Sequence, residues 1–338
     1  MRTGSTTQTV TIREVAQRAG VSISTASRSL GSGSASAETR RKVREAAREL
    51  GFVPNAAARQ LSTGRANTVA ILVAEQTDFI FNDPFLSMLV SQLAISLSRN
   101  GLQGFLMLAD PTDPSSFSNL LRRTGVDGVI VVSFHRSRDL ETSIRSLTVP
   151  AMFVGRPPDE FSDYPYVDVD NFRGGCDAAQ RLLDIGRENI AEITGPPSMN
   201  AVIDRDSGFV SVLGRHGIKL VSKKSGKFSF ENGRRSMEAI LKQRPQVDAV
   251  FAQSDQVAAG AMSALFATGK SVPQDVAVIG FDDSGMAKAT TPPLTTLRQP
   301  VGDLAHMAAG MMASILNGEN ALVTKQVLYA PLKVRGTA

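Results

Sequence analysis

One cysteine, no tryptophan and three histidines in 338 residues leave little material for several kinds of chemistry. Cys176 has no second thiol with which to close an intrachain disulfide, which fits a reducing compartment. His135, His216 and His306 lie far apart, and with a single thiol they offer no zinc-ligand spacing; no metal and no cofactor is expected. No apolar run approaches the roughly 18 residues of a membrane helix, and the opening MRTGSTTQTV lacks the apolar segment of a secretory signal. A cytoplasmic protein with no membrane partner is therefore expected. Enzyme signatures are missing as well: there is no GxGxxG after a strand, and no GxxxxGK[ST], GxSxG or HExxH.

What is present is an ordinary globular composition, 42% hydrophobic and 20% charged, in a chain long enough for two or three domains. The charge is unevenly spread. Residues 1–66 hold 11 Lys and Arg against four Glu and no Asp, whereas the remainder holds 26 basic and 28 acidic residues. A positive end on a nearly neutral body is suited to a focused nucleic-acid contact rather than to general adhesion.

Within that end, TIREVAQRAGVSISTASRSL (11–30) divides into two amphipathic pieces. Ile12, Val15, Ala16 and Ala19 recur at helical spacing, Gly20-Val21 interrupts, and Ile23, Ala26 and Leu30 resume. Thr11 with Glu14 forms a capping box, and Ser22 is a good N-cap for the second helix. Ile23, Ser24, Thr25, Ser27 and Arg28 then occupy its first two turns. Two short helices at a tight turn form either a plain helical hairpin or a helix-turn-helix whose second helix reads the major groove. A third helix, capped by Ser36 and closed by Gly51, places Arg40, Arg41, Lys42, Arg44 and Arg48 where phosphates could be met.

The run TIREVAQRAGVSISTASRSL followed by SAETRRKVREAARELGFVPNAAARQL resembles the lac repressor family of bacterial transcription regulators in order and spacing. Gly31 departs from the pattern, at a position where the family often carries an Asn that touches DNA. ITGPPS, SDQVAAGAMSAL, VPQDVAVIGFDD and TPPLTTLRQP extend the likeness over essentially the whole chain. The resemblance implies that Thr11, Ser22, Ile23, Ser24, Thr25, Ser27 and Arg28 contact DNA. It also maps Asn55, Ala58 and Leu61 onto a hinge helix that forms on DNA, with Leu61 a wedge in the minor groove. Two turns alone are marginal in water, so composition by itself favours a plain linker over a helix here.

From residue 68 short apolar runs alternate with longer amphipathic ones. Strands are expected at 69–73, 104–108, 128–132, 151–154, 166–169, 190–193, 218–221, 249–252 and 276–279. Helices are expected at 84–99, 115–123, 140–147, 173–183, 204–215, 232–242, 256–267 and 301–316. Such alternation predicts parallel sheets covered on both faces. The expected architecture is a small all-α helix-turn-helix DNA-binding domain (1–54), a hinge (55–67), and an α/β periplasmic-binding-protein-like domain of two parallel-sheet lobes (68–338). A crossover is expected within 155–165. The resemblance implies three crossings between lobes, with segments near Asp283 and Thr295 returning to the first.

Ligands of open α/β sheets bind beyond the carboxyl ends of strands. Asp255, just after a strand, is a routine helix cap by position. The resemblance makes it an effector-binding acid, Arg205 a planar fork for paired oxygens, and Phe228 a ring against a sugar face. Phe79, Phe81 or Phe85 would supply a ring in the first lobe, and Arg156 would favour an acidic or phosphorylated effector. Asp170 and Asn171 match a family element and are read as structural. Helix 84–99, with more apolar coverage than one buried face requires, points to a homodimer. The whole is expected to be a regulator, as a repressor, of palindromic double-stranded operator DNA, controlled by a small molecule such as a sugar or sugar acid. A transporter's solute-binding protein and an unrecognised enzyme are the competing classes.

Overall fold

The computed structural model of the chain describes residues 10–31, 34–52, 65–75, 77–109, 121, 125–319 and 324–338. It divides into two units, Met1–Ala66 and Asn67–Ala338. Asn55, Ala58 and Leu61, and all of the expected helix 115–123 except Leu121, lie outside the described residues.

In the first unit, α1 (Ile12–Ala19), α2 (Ile23–Leu30) and α3 (Ala37–Glu49) surround a small core of Val15, Ala16, Ala26, Val43, Ala46 and Ala47. Thr11 and Glu14 form the reciprocal capping box, and Ser22 and Ser36 each accept a backbone N–H at the start of their helices. Gly20 at φ +68 turns the chain between α1 and α2, a conformation that glycine adopts without a Cβ clash.

The second unit is built on two six-stranded sheets of identical pattern. The first contains β1 (Thr68–Val73), β2 (Gln103–Leu108), β3 (Gly128–Val132), β4 (Ala151–Val154), β5 (Tyr166–Val169) and β11 (Lys325–Leu328), in the order β2-β1-β3-β4-β5-β11, all parallel. The second contains β6 (Ile190–Thr194), β7 (Ser222–Ser225), β8 (Ala249–Ala252), β9 (Ala277–Asp282), β10 (Thr295–Arg298) and β12 (Leu332–Lys333), in the order β7-β6-β8-β9-β10-β12. Its pairs are parallel except β10 with β12. Central strands such as β3, β4, β6 and β8 are buried at every residue; β3, β4 and β8 read as continuous apolar runs and β6 is interrupted by Glu192, whereas the outer β7 and β11 alternate.

Three crossings join the lobes, but not where they are expected. The 155–165 stretch links β4 to β5 within one sheet. The chain crosses first after β5, through α7 (Asn171–Asp184), again through α12 (Val301–Leu316), and last between β11 and β12. Asp283 and Thr295 belong to the second lobe; the returning strand is β11. The expected strand at 218–221 is also displaced, to Ser222–Ser225: Ile218, Leu220 and Val221 pack against the core from the preceding loop, while the edge position of β7 tolerates Ser-Lys-Lys-Ser.

Helix α7 lies against α8 (Asn200–Arg215), the helix that carries Asp204, Arg205 and Asp206. Their backbones nearly touch. A Cβ on Gly175 would stand 2.1 Å from the Arg205 carbonyl oxygen, and one on Gly208 would stand 1.9 Å from that of Phe172. Because the obstacle is backbone, Gly208→Ala must separate the helices. It should lower the stability of the folded chain by about 1–3 kcal/mol or more, read as the shift in the urea unfolding midpoint.

Candidate functional site

On the DNA-facing candidate, Thr11, Ser22, Ile23, Ser24, Ser27 and Arg28 are exposed, Thr25 is half-buried, and Ala26 and Ser29 turn inward. The large apolar side chain of Ile23 stands in solvent at the head of α2, an arrangement with no role in the local core. Ser22 Oγ lies 2.9 Å from Ser24 Oγ and 2.8 Å from Thr25 Oγ1, so three hydroxyls form a cluster at the start of α2. On α3, Lys42 pairs with Glu38 and Arg41 more loosely with Glu45, while Arg44 and Arg48 have no ion pair among the described residues. The phosphate-seeking charge therefore rests more on Arg44 and Arg48 than on the whole basic face.

In the second unit a cavity of about 100 Å³ lies between the lobes. One water needs about 10–15 Å³ of such space, so the cavity has room for several waters or a small polar ligand. It is lined from the carboxyl ends of strands: Ser133 and Phe134 after β3, Arg156 after β4, Asp168 and Asn171 around the end of β5, Phe228 after β7, Ser254 after β8, Asp282 ending β9 and Gln299 after β10.

Arg205 is its centre. The side chain is buried; Nε donates to Asn171 Oδ1 at 2.9 Å and Nη1 to the Gln253 carbonyl at 2.7 Å, while the guanidinium sits 3.6 Å above the Phe281 ring. Burial pulls its pKa down to about 10, with Asp282, Asp168 and Asp83 opposing that fall. Those carboxylates suffer burial in turn. Asp168 rises to about 6, Asp83 is raised, and Asp282, further opposed by Asp255, is held well above its usual range. Asp282 also stands at φ +121, a strained backbone for a residue with a Cβ. Gln299 secures it by donating its N–H to the Asp282 carbonyl and Nε2 to Oδ1 at 2.7 Å.

Arg205, Phe228 and Arg156 are thus brought together, and Asp255 is not. Its Oδ2 accepts from the backbone N–H and hydroxyl of Ser284 at 2.7 and 2.9 Å, and its Oδ1 from Thr296 Oγ1 at 2.6 Å. With its acceptors used inside the second lobe, Asp255 stands behind the cavity wall rather than in it. Arg156 lines the cavity but is engaged: Nη2 lies 2.8 Å from Asp204 Oδ1 and Nε 3.1 Å from Oδ2, an ion pair that spans the lobes. Asn200 adds to this rim by donating to the carbonyls of Arg156 and Pro157, and His135 Nδ1 lies 2.9 Å from Ser198 Oγ.

Among the first-lobe rings, Phe85 lines the cavity and Phe81 is exposed; Phe79 falls in the helix Thr77–Asn82, and its side chain lies outside what is described. Phe228 can lie in the wall because Gly195 has no side chain: a Cβ there would stand 2.2–2.7 Å from three ring carbons. Sequence reasoning missed Asp83, Asp168 and Asp282, and it read Asn171, which lines the cavity, as structural. Asp168 and Asp282 stand near strand ends, a position many surface carboxylates share, and Asp83 is the N-cap of the helix Pro84–Arg99, a routine place for an Asp.

A basic three-helix unit that presents the head of its second helix, on a chain whose second unit encloses a polar cavity between two parallel-sheet lobes, defines a ligand-responsive DNA-binding regulator. The description "Bacterial regulatory proteins, lacI family" matches residues 11–55, and "Periplasmic binding protein-like domain" matches residues 179–338. The chain is 38% identical to the HTH-type transcriptional regulator CelR of Thermobifida fusca over 334 residues, covering 96% of this chain and 97% of that protein. Among solved structures it is similar to a transcriptional regulator CelR-cellobiose complex, with 34% identity, TM-score 0.77, and 97% and 100% of the two chains covered. It is also similar to the lac repressor dimer bound to operator and the anti-inducer ONPF, with 25% identity, TM-score 0.83, and 98% and 99% covered. The chain belongs to the lacI family of bacterial regulatory proteins and is a DNA-binding transcriptional regulator. No helix among the described residues is long and apolar enough to cross a membrane.

The Asp168 carboxyl makes the body's stability depend on pH. Burial raises its pKa from 3.8 to about 6, so the folded state holds the proton more tightly than the unfolded state; the associated stability is full below about pH 4 and is lost as pH rises through 6. Asp168→Asn should remove that loss and gain up to ~3 kcal/mol relative to wild type at neutral pH, with little gain at pH 4. Urea unfolding midpoints at the two pH values check this, and equal gains at both would contradict it.

Proposed function

We propose that this regulator is a homodimeric repressor that binds a palindromic double-stranded operator and is released by a small neutral sugar held between its lobes. The carrying observation is the charge balance of the cavity. Arg156 is already satisfied by Asp204, and Arg205 faces Asp83, Asp168 and Asp282, whose ionised forms are disfavoured by burial. An acidic or phosphorylated effector would add negative charge where it is least compensated. Hydroxyl groups, by contrast, can both donate to and accept from these side chains, and Phe228 and Phe85 offer apolar faces for a ring. A sugar acid, which Arg156 would have favoured, is thereby the weaker reading. The cellobiose bound by the CelR relative supports the sugar class and makes cellobiose the first ligand to try.

Two copies of the chain would present two copies of α2 to the half-sites of an operator, as two-fold symmetry requires. Met88 and Ile95 stand exposed on the helix Pro84–Arg99, whose Leu86, Leu89, Leu93 and Leu97 are already buried within the chain; a partner copy would cover the excess. Effector binding would favour one relative orientation of the lobes and pass that change to the segment carrying Asn55, Ala58 and Leu61, weakening operator binding. A coupling of about 1–3 kcal/mol is enough, and the operator must weaken effector binding by the same factor. The work of such a regulator lies in the cytoplasm, where its DNA is.

Gel shifts with genomic fragments, with and without cellobiose and other neutral sugars, test the whole reading; a fragment retained equally with every sugar would overturn the effector assignment. Arg28→Ala should lose about 1–3 kcal/mol of operator affinity and relax preference at one position per half-site, whereas Arg44→Ala should weaken all sequences alike. An unchanged logo for Arg28→Ala in a binding-site selection would displace Arg28 from base reading.

A further inference from the structure

Behind the cavity wall lies a group of charges that the proposed binding of DNA and effector does not use. Glu192 is fully buried in the middle of β6, a strand otherwise composed of Ile190, Ala191, Ile193 and Thr194. Its register partner on β7 is Lys223, so the two side chains share one face of the sheet. Helix α8 covers that face and brings Asp206, whose Oδ1 lies 2.6 Å from Lys223 Nζ. On the other side Gln253, after β8, donates Nε2 to Glu192 Oε1 at 2.8 Å and to the Val202 carbonyl at 3.3 Å.

Two oxygens of this group are left over among the described residues, Glu192 Oε2 and Gln253 Oε1, while Asp206 Oδ1 has its ion pair with Lys223. Glu192 Oε2 is buried with no donor among the described residues, yet Glu192 is within hydrogen-bonding reach of Asp206. Two carboxylates face to face have four acceptors and no donor; a proton on one of them turns the repulsive contact into a hydrogen bond. Among the described residues Lys223 is ion-paired to Asp206 and not to Glu192, which leaves the proton on Glu192. Burial and Asp206 both act in that direction, raising Glu192 to about 8.

We propose that Glu192 and Asp206 share one proton in the folded protein, and that this pair, through Gln253 and helix α8, fixes Arg205 in the cavity so that ligand binding weakens when the proton is lost. The connection is short. The Gln253 whose amide holds Glu192 is the residue whose carbonyl receives Arg205 Nη1, and Asp206 follows Arg205 directly on α8. Glu192 is thus a positioning residue. Loss of its proton sets two carboxylates against each other beneath α8, and the relief available is movement of the helix that carries Arg205. The groups facing Glu192 are Asp206 from α8, Lys223 from β7 and Gln253 from the β8 end, so one cation stands against two acids. The link to ligand binding rests on the effector reading above; the shared proton does not.

Three measurements on the full-length protein test this. Infrared difference spectra between about pH 6 and pH 9 should show protonated carboxyl C=O intensity that disappears with rising pH in wild type, beside that of Asp168 and Asp282, with one component missing from Glu192→Gln and titrating lower in Asp206→Asn. Urea midpoints should fall in wild type as pH rises from about 6 to 8, because the folded state binds the proton more tightly, and this fall should be smaller in Glu192→Gln, the neutral isostere. Cellobiose affinity of wild type should drop from pH 6.5 to pH 9 about fivefold or more further than that of Glu192→Gln, in which only the cavity acids such as Asp168 and Asp282 still titrate. No Glu192-dependent band, or the same pH profile of stability in both proteins, overturns the shared proton. A titrating band with wild-type affinity that changes with pH no more than that of Glu192→Gln overturns the positioning role. Failure of cellobiose and every other neutral sugar to bind counts against the effector reading, with the shared proton judged by the first two measurements.

Discussion

The arrangement of the second unit depends on the burial of one cation. A guanidinium removed from water is costly unless its hydrogen bonds and its charge are met, and Arg205 has both met from two directions. Asn171 begins the helix that leaves the first lobe, and Gln253 directly follows a strand of the second. Asp83 and Asp168 contribute negative potential from the first lobe, Asp282 and Asp204 from the second. The same charge that makes Arg205 tolerable inside the protein therefore draws the two lobes together. The Arg156–Asp204 pair and the Asn200 contacts then close the rim around it.

This arrangement explains which parts were legible in the sequence. Central parallel strands must be apolar on both faces, so β3, β4 and β8 fall at the residues their composition predicts. Edge strands carry no such demand: Ser222–Ser225 and Lys325–Leu328 have polar residues facing solvent and gave no apolar run to detect. The crossings followed from the same gap, because the strand that returns to the first lobe is one of those edges. Arg205 and Phe228 were found through motifs around them, but the acids that balance Arg205 come from three distant stretches of chain. Asp255 shows the opposite failure. Its motif was plain, yet whether it reaches a ligand depends on Ser284 and Thr296, which only the folded sheet brings to it.

Close backbone contact has a comparable logic. The α7 and α8 helices approach through Gly175 and Gly208, and the helices Phe230–Gln243 and Asp255–Ala267 repeat the device through Gly233 and Gly260. Each pair brings a helix carrying cavity or near-cavity residues against its neighbour without intervening side chains. Such contacts leave little slack, so displacement of α8 passes to α7, the first segment to cross between the lobes.

The order in which the strands occur also bears on how the protein is made. Five strands of the first sheet are complete once residue 169 has been synthesised, but the sixth, Lys325–Leu328, follows roughly 150 residues later, some 10–30 s at ordinary translation rates of about 5–20 residues per second. Throughout that interval the outer edge of Tyr166–Val169 presents unpaired N–H and C=O groups to whatever strand is near. A nascent chain in this state is open to pairing with a neighbour on the same messenger. The burial of Asp168 within that edge strand places a carboxyl there, a charge that an invading strand would have to accommodate before the chain's own segment arrives to cover it.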